Sequence, residues 1–105
     1  MPSLTAVSLR LTLANVSQDA SSLRSLVIDL FERLSKEPGF VSAVLHDDVD
    51  RPGELLVYET WSLSREQYLR DVRTKPYWDF YERRLVELRV EREARWLRPI
   101  ASWPP

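Results

Sequence analysis

"FVSAVLHDDVDRPGELLVYETW", residues 40–61, reads as two β-strands and the turn that joins them. Both ends are rich in Val, Leu, Tyr, Thr and Trp, which suit a pleated surface, while the polar middle "DDVDRPGE" carries Pro52 and Gly53. The pattern predicts an antiparallel hairpin, with one strand over about Phe40 to Asp47 and the next over about Leu55 to Trp61. Side chains two apart on a strand share a face, so Val57, Glu59 and Trp61 point one way and Tyr58 and Thr60 the other. A carboxylate therefore lies between an aliphatic and an indole, where it needs a partner or a proton.

Upstream, from about Leu4 to Ala14, Val7, Leu9, Leu11 and Leu13 alternate with Ala6, Ser8, Arg10 and Thr12, the signature of a strand with one apolar side. "NVSQDASS" then supplies turn and capping residues before Leu23, Leu26, Val27, Leu30, Phe31 and Leu34, which fall at helical spacing. That helix ends at "KEPGF", where Pro38 and Gly39 turn the chain into the hairpin.

Downstream, Ser64 and Gln67 form a capping-box pattern that opens a second helix with Tyr68, Leu69 and Val72 inward. Pro76 is expected to break it and to start a third helix at the N1 position. Tyr77, Phe80, Tyr81, Leu85 and Leu88 form the stripe of that helix, with Arg84 near its middle. A last strand is expected over about Glu93 to Ile100, followed by the tail "ASWPP".

The resulting order, β-α-β-β-α-α-β, fits one α+β domain over residues 1–105: a ferredoxin-like split βαβ with a four-stranded antiparallel sheet. Helices cover one face of such a sheet. Apolar side chains on the other face would stay wet in a lone copy, so a homodimer through sheet faces is expected.

Composition narrows the function. Fifteen Lys and Arg against sixteen Asp and Glu leave a formal charge of −1, and "ELRVEREARWLR" alternates Glu with Arg, so neither nucleic acid nor an anionic membrane is an expected partner. There is no cysteine, hence no disulfide frame and no thiolate chemistry. The first twenty residues lack a basic n-region and place Arg10 in the apolar stretch, and no run approaches the ~20 apolar residues of a membrane span, which predicts a cytoplasmic protein. No Gly-rich phosphate loop, nucleophile elbow or paired metal-ligand motif is present. The single histidine, His46, has no second ligand-type residue at ligand spacing and reads as an ordinary surface or barrel residue.

"EPGFVSAVLHDD" at 37–48, "YETW" at 58–61, "TKPYWDFYERRL" at 74–85 and "LRPI" at 97–100 together resemble the antibiotic biosynthesis monooxygenase (ABM) domain family, over nearly the whole chain. The resemblance implies a dimeric α+β barrel. Members of that family include oxygenases that oxidise polycyclic phenols without metal or flavin, haem-degrading oxygenases, quinone-handling proteins and proteins without known activity. Trp61 matches the tryptophan that ends the third strand and lines a cavity between sheet and helices, and Glu59 matches a carboxylate two residues earlier. The aromatics of the cofactor-free oxygenases correspond to Tyr68, Tyr77 and Tyr81, expected to bind a small aromatic molecule. Two departures stand out: Val57 replaces an Asn that some of those oxygenases carry, and "LRDVRT" around Asp71 lacks the His that a haem-degrading member would use. The expected cofactor is none.

Two roles are open to Glu59. It can pair with Arg84 as a structural link between the third strand and the third helix. Alternatively it accepts a phenolic proton as a catalytic base, with Trp61 beside it and Arg84 or a tyrosine hydroxyl steadying the enolate. Trp61 is likewise either core or pocket wall.

Overall fold

The computed structural model describes residues 4–104. Strands β1 (Thr5–Leu13), β2 (Phe40–Asp47), β3 (Glu54–Trp61) and β4 (Val90–Leu97) and helices α1 (Val16–Leu34), α2 (Arg65–Asp71) and α3 (Tyr77–Glu87) follow in the order β1-α1-β2-β3-α2-α3-β4. The sheet order is β2-β3-β1-β4 with every pairing antiparallel, the ferredoxin-like arrangement that the sequence predicts.

The hairpin forms because its turn residues do what their chemistry allows. Gly53 has φ +88°, and Gly39, at the entry to β2, has φ +89°; a Cβ on Gly39 would lie 2.5 Å from Leu63 Cγ, so only glycine fits. The capping box of α2 is complete: the Ser64 N–H donates to Gln67 Oε1 at 2.8 Å, and the Gln67 N–H donates to Ser64 Oγ at 3.1 Å. On α1, Leu23, Leu26, Val27, Leu30 and Leu34 are all buried against the sheet, as their spacing requires.

Two elements differ from expectation. β4 begins at Val90, three residues early, because Arg89 adopts the left-handed φ of 55° and reverses the chain without a glycine to announce it. Pro76 is the N-cap of α3 rather than its first turn, and the buried face of that helix is Trp78, Tyr81 and Leu85, with Leu88 just beyond. Phe80 faces outward at 57% exposure, since Trp78 has taken the inner position. Leu69, expected inside, is also exposed.

The register places Ala43, Glu59, Val7 and Trp96 in one row across the helix-facing side of the sheet, and Leu45, Val57, Leu9 and Ala94 in the next. Glu59 thus occupies the middle of the sheet. The opposite face bears Val44, Leu56 and Tyr58 toward β2, and Arg10, Glu93 and Arg95 toward β4. No helix covers Val44 or Tyr58, which are exposed.

Candidate functional site

Period-two alternation on β3 sends Glu59 under the helices, and the pairing of β1 on one side and β2 on the other keeps it from the sheet edge. Glu59 is 4% exposed, and its carboxyl accepts a hydrogen bond from Trp61 Nε1 at 2.9 Å. Burial pushes the pKa up from 4.5 to about 7, and the Trp61 bond pulls in the other direction. Glu59 is the only buried polar or charged residue among the described residues.

Glu59 forms part of a cavity of about 280 Å³. Val7 and Leu9 of β1 and Ala94 and Trp96 of β4 line the sheet side, and Leu30 and Phe31 come from α1. The remaining wall is Tyr68 and Leu69 of α2 with Trp78 and Tyr81 of α3, and two guanidinium groups, Arg73 and Arg92, complete it. Such flat apolar walls with few polar groups suit a planar aromatic ligand.

Local sequence explains how the walls are held. Trp61 packs edge-on against Phe40 and Tyr68, each with ring centroids 5.2 Å apart, and Tyr68 packs edge-on against Trp96 at 5.3 Å. Trp78 donates its indole N–H to the Val72 carbonyl at 3.0 Å, which anchors α3 to the end of α2. Burial raises the pKa of both Tyr68 and Tyr81 above the ordinary tyrosine value, so both hydroxyls keep their protons at neutral pH. The Tyr81 hydroxyl is buried without a hydrogen-bond partner, a state that costs free energy until something meets it.

Of the six residues singled out from the sequence, the cavity brings Glu59, Tyr68 and Tyr81 together. Trp61 is fully buried behind the wall rather than in it, and touches the site through Glu59. Tyr77 lies in a separate groove between α1 and α3, near Arg33 and Glu37, where burial raises its pKa to about 12. Arg84 does not meet Glu59. It donates to Glu87 Oε2 at 2.7 Å on the outer side of α3, because taking Trp78 inward rotates Arg84 outward. His46 is exposed on β2, with its ring Nδ1 3.3 Å from the Leu56 carbonyl.

Trp78, Trp96, Arg73 and Arg92 went unassigned from the sequence. The signal for Trp78 was available, since Trp78, Tyr81, Leu85 and Leu88 also fall at helical spacing. Arg92, Ala94 and Trp96 alternate onto one face of β4, but placing that face over a cavity needed the register. Among the described residues, no group of three His, Asp or Glu side chains could hold a metal ion.

No protein-family model matches the sequence, and no curated protein sequence matches it either. Solved structures do match. SnoaB, a cofactor-independent oxygenase from Streptomyces nogalater, superposes with a TM-score of 0.83 at 16% identity, covering 98% of this chain and 99% of the other. Rv0793 from Mycobacterium tuberculosis gives 0.79 at 27% identity, covering 95% and 98%. A candidate antibiotic biosynthesis monooxygenase from Deinococcus radiodurans gives 0.77 at 18% identity, covering 92% and 94%. The resemblance to the antibiotic biosynthesis monooxygenase proteins therefore holds at the level of the fold, across nearly the entire chain.

Proposed function

We propose that this protein is a cofactor-independent monooxygenase acting on a small aromatic, phenolic or quinol compound, which it binds between sheet and helices. The observation that carries this reading is Glu59: a buried carboxyl with a pKa of about 7, in the wall of an aromatic cavity that is also lined by Tyr81, whose buried hydroxyl has no partner. A base poised near neutral pH is in the range where proton transfer is most effective. The fold shared with the oxygenase SnoaB agrees with it.

For the phenol form of an anthrone-type substrate, ionised Glu59 takes the phenolic proton. Tyr81 donates its hydroxyl hydrogen to the resulting enolate oxygen, the task that sequence reasoning offered to Arg84 or a tyrosine. The enolate passes one electron to dioxygen, and the ring radical and superoxide recombine into a peroxide at the reactive carbon. Protonated Glu59 returns its proton to the peroxide, and loss of water leaves a new carbonyl. Oxidation of CH₂ to C=O supplies all four electrons, so one oxygen atom is retained, the other leaves as water, and no outside reductant enters.

Two copies of the chain, packed through the face bearing Val44, Leu56 and Tyr58, form the working unit in this proposal. Among the described residues no helix is long and apolar enough to cross a membrane.

Oxygen uptake by purified, metal-free protein supplied with an anthrone tests the enzyme reading. Loss of a positioned base typically costs about 10²-fold or more, so Glu59→Gln is expected to reduce uptake by that factor. Unchanged uptake in Glu59→Gln and Trp61→Phe would remove the site assignment.

A second reading, a non-catalytic barrel that binds a hydrophobic metabolite or acts as an accessory protein, is favoured by Val57 and Val7. Both are buried beside Glu59 and give it no hydrogen-bonding neighbour. Aromatic ligands that raise the melting temperature without consuming oxygen would select this reading.

A further inference from the structure

Arg73, between α2 and α3, and Arg92, on β4, converge on a single carboxylate of α3. Arg73 Nη2 donates to Glu82 Oε1 at 2.6 Å, while Arg92 donates to Oε1 at 2.6 Å and to Oε2 at 2.9 Å. Two cations thus share one anion, leaving one positive charge in surplus. Both guanidiniums also belong to the wall of the cavity that contains Glu59. Arg73 lies over the Trp78 ring, its Cζ 4.2 Å from the centroid, which fixes the plane of the fork without using up its N–H donors.

A guanidinium has five N–H donors, and the structure occupies one of those on Arg73 and two of those on Arg92. The bidentate grip of Arg92 on Glu82 shows that this corner is already shaped to hold a carboxylate. At the sheet the cavity offers Glu59, which rejects an anion once ionised. A ligand bearing a negative group is therefore oriented: its acid end goes to the arginines and its neutral aromatic end to Glu59 and Tyr81.

We propose that Arg73 and Arg92 form an anion subsite, and that the natural ligand is an aromatic compound bearing a carboxylate. This inference rests on the proposed ligand cavity and names the class of compound that the cavity takes.

The test is calorimetric titration of the whole protein with anthracene-2-carboxylate and with its neutral carboxamide. The acid should bind at least about tenfold more tightly, the effect of one charge-assisted hydrogen bond, and the advantage should shrink as salt is raised. Arg73→Gln should reduce the preference for the acid, read as the ratio of the two affinities within that one variant. Glu82→Gln should move the preference in the opposite direction, since it releases both guanidiniums to the ligand. Opposite signs in two variants cannot both come from damaged folding. Equal affinities for acid and amide, or a preference unmoved in both variants, would overturn the subsite while leaving the aromatic cavity in place. Failure of both probes to bind would remove the subsite and the cavity reading together.

Discussion

Trp61 donates its indole N–H to Glu59 Oε1 at 2.9 Å, two residues apart on β3 with both side chains buried. The indole is held edge-on by Phe40 and Tyr68, so the donor is fixed before any ligand arrives. This bond holds the carboxyl in place but does not neutralise it.

The first prediction concerns stability against pH. The folded-state pKa of Glu59 is about 7 against 4.5 for an ordinary glutamate, so between those values the native protein binds a proton that the unfolded chain has released. Stability from this group is fully present below pH 4.5 and is lost as pH rises through about 7. The loss is about 3 kcal/mol, since each tenfold change in proton affinity is worth ~1.4 kcal/mol. Urea midpoints of the native sequence should therefore fall between pH 5 and pH 8. In Glu59→Gln that component should vanish, making the variant the more stable of the two at pH 8.

The second concerns the indole. Trp61→Phe keeps a ring behind the wall but removes the N–H, the one interaction that favours the charged form of Glu59. The Glu59 titration should move further above 7, seen as a displaced carboxyl band in infrared titration or a basic shift in the pH profile of oxygen uptake. Lost packing and the lost bond should together cost about 2–3 kcal/mol in denaturant unfolding. A titration that stays in place would show that Trp61 does not act through the carboxyl.

The third concerns the orphaned hydroxyl. Removing a buried group that has no partner should not destabilise the protein, so Tyr81→Phe is expected to match the native stability or exceed it by up to about 1 kcal/mol. The same change should weaken a phenolic ligand by about tenfold, the value of one hydrogen bond. Thermal melts with and without ligand separate the two effects. A large loss of stability in the unliganded variant would mean that the hydroxyl already has a partner.

How far the sequence foretold these features depends on the distance over which each is decided. The hairpin, the α2 capping box and the α1 stripe are set by residues within a few positions of one another, and all were legible. The start of β4 was not, because the reversal is made by Arg89 in a left-handed conformation that sequence normally assigns to glycine. On α3 the run "YWDFYERRL" holds two overlapping apolar stripes, one through Phe80 and one through Trp78, and only packing on the sheet decides between them. That choice also sends Arg84 to Glu87 on its own helix. The Arg73, Glu82 and Arg92 cluster joins a loop, a helix and a strand, so no local pattern in the balanced charge of that region could single it out.

The fourth prediction follows from the side of the sheet away from Glu59. Val44 and Tyr58 are cross-strand partners on β2 and β3, each about half exposed, at 54% and 47%, with Leu56 next to them. Toward β4 the same face carries Arg10, Glu93 and Arg95, acids and bases that can pair across a two-fold axis when one copy lies on another. Light scattering after size exclusion should give the mass of a dimer. Val44→Asp with Tyr58→Asp should give a monomer, since each buries a charge in the contact, whereas Val86→Asp, on the exposed side of α3, should leave the dimer intact. Trp103 is 88% exposed within one copy, and packing against the second copy would shelter it. Truncation after Arg98 should then weaken the dimer without altering the unfolding of the monomeric double variant. A native chain that runs as a folded monomer in dilute solution would remove the second copy from the working unit.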